Sequence, residues 1–150
     1  MSHIVTESMV IQDLDALQAA CSPESGLEFV RGQQTYRWYG RSVGDYPLPA
    51  GFTEADLGKC EHAIRVRGNS GAYEIGVVRR RDAEGNVLPG YQLSYDFWNG
   101  GYGLEKVAGK NCSTLKQLYA LQGIKKTLGN KYRITGTQQL ANGSMKVVLG

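Results

Sequence analysis

Residues 72–98, AYEIGVVRRRDAEGNVLPGYQLSYDFW, decide the fold, because they read as two strands joined by a turn. Side chains alternate between faces along a strand, so Tyr73, Ile75 and Val77 share one side and Tyr91, Leu93, Tyr95 and Phe97 share one side of the return. DAEGNVLP, with its Gly-Asn pair, supplies the turn. Matching the apolar faces sets Ile75 opposite Phe97 and Val77 opposite Tyr95. The other face then carries Glu74 opposite Trp98, Gly76 opposite Asp96, and Arg80 opposite Gln92.

Outward from this hairpin, Cys60–Arg67 reads as a further strand and His3–Ile11 as the first. Asp13 is placed to cap a short helix with Leu14, Leu17 and Cys21 on one face. Leu27–Arg31 and Thr35–Gly40 read as the arms of a hairpin around Gly32. Residues 41–58 are irregular, with two prolines and one helical turn at FTEADL. A second helix begins at Asn111 or Ser113 and runs to Leu128, with Gly129 to end it. The Asn142-Gly143 pair predicts a closing β-hairpin. The expected fold is α+β: one domain over residues 1–150, a mainly antiparallel sheet, two helices packed on one face and a C-terminal hairpin.

The chain has 150 residues, 41% of them hydrophobic and 21% charged, enough to bury a core without metals or disulfides. No apolar run reaches the roughly 20 residues of a membrane helix. Cys21, Cys60 and Cys112 are odd in number and form no CxxC pair, which with the lack of a signal-like N-terminus predicts a cytoplasmic protein. Charge is uneven. Residues 1–62 carry nine acids against four Lys or Arg, and residues 63–150 carry thirteen Lys or Arg against five acids. Such a half can meet an anionic partner; equally, many domains carry lopsided charge without binding through it.

Gly76 leaves a gap beside Asp96 and Trp98 on the polar face, and Arg65 and Arg67 alternate onto it from the preceding strand. Indoles stack on planar ligands and guanidiniums pair with anions. Asp96, Trp98, Arg65, Arg67, Arg80 and Glu74 are therefore the candidate ligand residues. The alternative is a solvent-facing surface whose charges pair with one another.

Catalytic signatures are missing: there is no P-loop, GxSxG or HExxH. Gly100-Gly101-Tyr102-Gly103 does not fit GxGxxG, and Leu-Glu-Lys separates it from the expected helix. Cys60 and His62 could face one way as a thiol–imidazole pair, but two His and three scattered Cys give a structural metal little to bind. Neither a metal nor a cofactor is expected.

The opening MSHIVTESMVIQDLDALQAA, the core YEIGVVRR with GYQLSYDFW, and the ending LYALQGIKKTLGNKYRITGTQQLANGSMKVVL resemble the family of unknown function that includes the plastid and cyanobacterial "hypothetical chloroplast reading frame thirty-five" proteins. The shared elements are His3, Asp13, Tyr73 to Gly76, Asp96 with Trp98, Tyr119 with Ala120, and Gly143. Glu74 stands where that family usually shows Asp, Phe97 separates an otherwise adjacent Asp-Trp pair, and segment 41–58 has no counterpart. The resemblance implies an accessory role, since such genes occur in bacteria and phages, in places beside an AAA-type ATPase gene.

Three functions follow as expectations. The first is a non-enzymatic binding protein engaging nucleic acid or nucleotide through the basic, Trp-bearing sheet face. The second is an adaptor or inhibitor of an ATPase or, if phage-encoded, a host factor, using segment 41–58 with Tyr36, Trp38 and Tyr39. The third is a small-molecule enzyme using Asp96, Glu74 and His62.

Overall fold

The computed structural model describes residues 4–6, 9–40, 48–128, 134–139 and 145–149, the last two stretches by backbone alone. It is an α+β protein. Strands β1 (Ile4–Thr6), β2 (Leu27–Arg31), β3 (His62–Val66), β4 (Ile75–Arg81) and β5 (Val87–Asp96) form an antiparallel sheet in the order β1-β5-β4-β3-β2. Helices α1 (Leu14–Ala20), α2 (Leu104–Ala108) and α3 (Ser113–Leu128) accompany it. Strands β6 (Ile134–Gln139) and β7 (Met145–Leu149) pair antiparallel as a separate ladder; the turn expected at Asn142-Gly143 falls outside the described residues.

The core follows the alternation read from the hairpin. Leu27, Phe29, Ile64, Val66, Ile75, Val77, Leu93 and Tyr95 project to one side of the sheet and join Leu17, Ala20, Leu104, Ala108 and Leu115 from the helices in a single cluster. Asp13 caps α1 by accepting from Ala16 N–H at 3.0 Å. Its other carboxylate oxygen takes Lys126 Nζ at 2.6 Å, tying α1 to α3. Along α3 only Leu115 is fully buried; Leu118, Leu121, Ile124 and Leu128 are half-buried, so the broad apolar arc is less covered than its pattern suggests.

Three expectations are corrected. First, the β4–β5 register places Gly76 opposite Ser94 and Val77 opposite Leu93, two residues from the expected pairing. A slip of two keeps each side chain on its expected face. The slip arises because the ladder is irregular between Arg79 and Arg81, and because the Asp82 carboxylate gathers the N–H groups of Glu84 and Asn86 into a tight turn.

Second, Leu27–Arg31 does not pair with Thr35–Gly40. β2 pairs with β3, and residues 33–39 cross the sheet's second face as a strap. The strap is hydrogen-bonded to the 58–60 segment, through Tyr36 N–H to Gly58 O and Cys60 N–H to Gln34 O, and to the entry of β4, through Glu74 N–H to Arg37 O. Third, the glycine cluster runs directly into helix α2 rather than being separated from it. Asn99, Gly100, Gly101 and Tyr102 all have φ between 53° and 65°, one left-handed turn, which glycine tolerates and tyrosine does not favour.

Among the described residues no helix is long and apolar enough to cross a membrane.

Candidate ligand cleft

The strap decides which candidate residues can meet a ligand. The gap expected above Gly76 is filled by the ring of Tyr36: a Cβ added at Gly76 would lie 2.5 Å from Tyr36 Cε1 and closer still to Cδ1. Tyr36 is buried, its hydroxyl sharing a 3.1 Å hydrogen bond with Ser94 Oγ, and burial pushes its phenol pKa up. Trp38 is half-buried against Gly58, packed in the same small cluster as Ile4 and Ala63. Of the three aromatics expected at a protein interface, only Tyr39 is exposed.

Asp96 is 0% exposed, so it is not addressable from solvent. Its Oδ2 accepts from Tyr39 N–H at 3.1 Å and its Oδ1 from Trp98 N–H at 3.0 Å. It anchors the end of the strap to the end of β5. A buried carboxylate holding two backbone donors is strongly placed, since charged hydrogen bonds are about twice as strong as neutral ones.

Its neighbour Trp98 is half-buried and belongs to a ladder of rings. Tyr39 and Trp98 lie 6.0 Å apart, Trp98 and Tyr102 5.8 Å, and Tyr102 and Tyr73 5.1 Å, all edge to face. Tyr39 is 38% exposed and Tyr102 45% exposed. Tyr102 keeps this outward position in a left-handed conformation that costs a non-glycine residue about 1 kcal/mol.

Beside the ladder opens a cleft of about 380 Å³, lined by Glu28, Arg37, Arg65, Val66, Gly68, Asn69, Ser70 and Glu74. Asn69 joins the two, since its side-chain amide reaches Tyr102 O at 3.4 Å. Arg65 pairs with Glu28, which lowers the Glu28 pKa and raises that of Arg65. Arg37 is different: its side chain donates to a neutral group, Ala72 O, at 3.1 Å. Its charge is therefore available to a ligand. The size suits a small molecule; two guanidiniums and two carboxylates line the cleft, and of the guanidiniums Arg37 has no acidic partner among the described residues.

The cleft thus unites Arg65 and Glu74 from the expected set, with Trp98 nearby on the ladder. Arg67 and Arg80 lie elsewhere. Arg67 binds the carbonyls of Leu27 and Cys21 at 2.6 and 3.1 Å, and Arg80 binds Pro89 O at 3.0 Å on the far hairpin. Elsewhere among the described residues Arg79 pairs with Glu61, Arg81 with Asp56 and Arg31 with Asp15.

The acid–base set does not converge. His62 stands on the core side, its ring against Phe29 and Tyr91, while Glu74 and Asp96 serve the strap side. Nδ1 of His62 accepts from Gly32 N–H at 2.9 Å, and burial, followed by the nearby Arg31, lowers its pKa. Cys60 packs near Tyr36 on the opposite side, and burial, followed by the Glu74 charge, pushes its thiol up to about 12. The two cannot act as a thiol–imidazole pair.

Sequence reasoning missed Arg37, Asn69, Ser70 and Tyr102. The available signal was Arg37 itself, a charge set between Tyr36 and Trp38 in a stretch read as a hairpin arm. Comparison with family models, curated proteins and solved structures returns no match. The cleft is accordingly interpreted from its own chemistry.

Proposed function

We propose that this is a binding protein for nucleotide-bearing anions, free nucleotides or single-stranded nucleic acid, which it holds in the Arg37–Arg65 cleft beside the aromatic ladder. The observation that carries the reading is Arg37, a guanidinium on the cleft wall that spends its bond on a neutral carbonyl, next to rings exposed at Tyr39 and Tyr102. Phosphate would be met by Arg37 and Arg65. A base would stack on the ladder, an interaction worth about 1–3 kcal/mol per base. The ligand class is the one expected from the sequence; the surface moves from the open sheet face to its end. The same reading takes the helices as one layer against the sheet.

Titrating tryptophan fluorescence with AMP and with a short single-stranded oligonucleotide tests it. Binding is expected at low salt and should weaken steeply as salt rises. Trp98→Ala and Arg37→Ala should each reduce it about tenfold or more, whereas Arg80→Ala should leave it unchanged. Salt-insensitive binding, or none at low salt, would remove the proposal.

A further inference from the structure

The cleft contains an acceptor that no described residue uses. Glu74 is only 7% exposed. Both of its hydrogen bonds fall on one oxygen: Oε1 takes Arg37 N–H at 2.7 Å and Gln33 Nε2 at 3.2 Å. Oε2 has no hydrogen-bond partner among the described residues. Nor is it sealed away, because the only fully buried side-chain polar atom without a partner among those residues is Arg81 Nε. Glu74 lines the cleft, where Oε2 is left for a ligand. A carboxylate held in place through one oxygen, with the other left over at a ligand-sized cleft, is a built recognition group.

We propose that Glu74 Oε2 reads the base of the bound nucleotide, selecting adenine, cytosine or guanine over uracil or thymine. This rests on the nucleotide reading above. An ionised carboxylate only accepts hydrogen bonds. Adenine N6, cytosine N4 and guanine N2 are amino groups that donate to it. Uracil and thymine present O4 in place of the amino group, and an acceptor facing an acceptor repels. Their single ring N–H lies between two carbonyl oxygens, so a carboxylate approaching it meets repulsion from both sides. Since Oε1 is already occupied, one oxygen is available, enough to sense an amino group.

The arrangement also explains why Gln33 and the Arg37 amide converge on Oε1. They fix the carboxylate's orientation, so its free oxygen is presented without loss of rotamer freedom on binding. Arg37 thereby acts twice: its backbone N–H aims Glu74 and its guanidinium stands on the cleft wall.

The test compares CMP and UMP binding to the intact protein at low salt, by calorimetry. CMP should bind about tenfold more tightly, the scale of one well-placed base contact. Glu74→Gln should reverse the order if the amide oxygen keeps the Arg37 N–H and the amide NH2 takes the place of Oε2, because an NH2 donates to uracil O4. Equal affinity for CMP and UMP in the unaltered protein would overturn the base-reading role while leaving nucleotide binding in place, and this comparison needs no variant to fold. An unchanged CMP preference in a folded Glu74→Gln protein would overturn it equally. If neither nucleotide binds, the nucleotide reading itself fails and this inference with it.

Discussion

Gly76→Ala is the smallest change that tests whether the strap closes the sheet's second face. The new Cβ would lie 2.5 Å from Tyr36 Cε1 and 3.1 Å from Cγ. Carbon atoms do not approach so closely, and a buried ring cannot yield as a flexible side chain would. Overpacking of this kind costs about 1–3 kcal/mol. Lifting Tyr36 also stretches its bond to Ser94, worth about 1 kcal/mol. Against this, Gly→Ala in a strand recovers about 0.5–1 kcal/mol of chain entropy. The net expectation is a loss of about 2 kcal/mol, or ~4–8 °C in Tm for a chain of this size. Urea unfolding followed by fluorescence and far-UV circular dichroism measures it. In a Tyr36→Leu background the same substitution should cost far less, giving a coupling of at least ~1 kcal/mol. If Gly76→Ala stabilises the protein, or if the two changes add independently, Tyr36 does not occupy that space and the closed-face description is wrong.

Other perturbations follow from the same geometry. Asp96→Ala leaves the Tyr39 and Trp98 N–H groups without their acceptor and should destabilise by about 3 kcal/mol in urea unfolding, freeing the strap end. The pKa of His62 is lowered on folding, so the unfolded chain binds its proton more readily. Stability should therefore fall as pH drops below about 6.5 toward the folded pKa, and His62→Gln should flatten that part of the pH–stability curve. The Cys60 thiol, pushed up to about 12, should react slowly with iodoacetamide at pH 8 in the native protein and quickly in urea. Tyr102→Gly should relieve the left-handed strain yet weaken nucleotide binding, which fluorescence titration and thermal melting separate.

Much of the sheet was legible because period-two alternation survives in the residues themselves. Ile75, Val77, Leu93 and Tyr95 had to share a face, and even a two-residue error of register left them there. The Asp13 cap was legible for a local reason: the residue type and the apolar spacing after it suffice. The strap was not. TYRWY alternates as a strand would, and nothing local distinguishes an arm that pairs with its neighbour from one that crosses a sheet to fill a glycine gap 40 residues downstream. That long-range fit buried Asp96, Tyr36 and much of Trp38, and left Arg37 on the cleft wall. Gly76 was correctly read as a gap, but its occupant belongs to the protein itself. The charge asymmetry likewise hid the pairing of Arg65, Arg79 and Arg81 with acids from the N-terminal half.

The most direct measurement is backbone and indole chemical-shift mapping of the protein titrated with CMP at low salt. Shifts should cluster at Arg37, Arg65, Asn69, Ser70 and Glu74 and at the Trp98 indole N–H, with the amides of Arg80 and His62 unmoved. Shifts centred on the Arg79–Tyr91 side of the sheet, or none at saturating nucleotide, would contradict the assignment of this cleft as the ligand site.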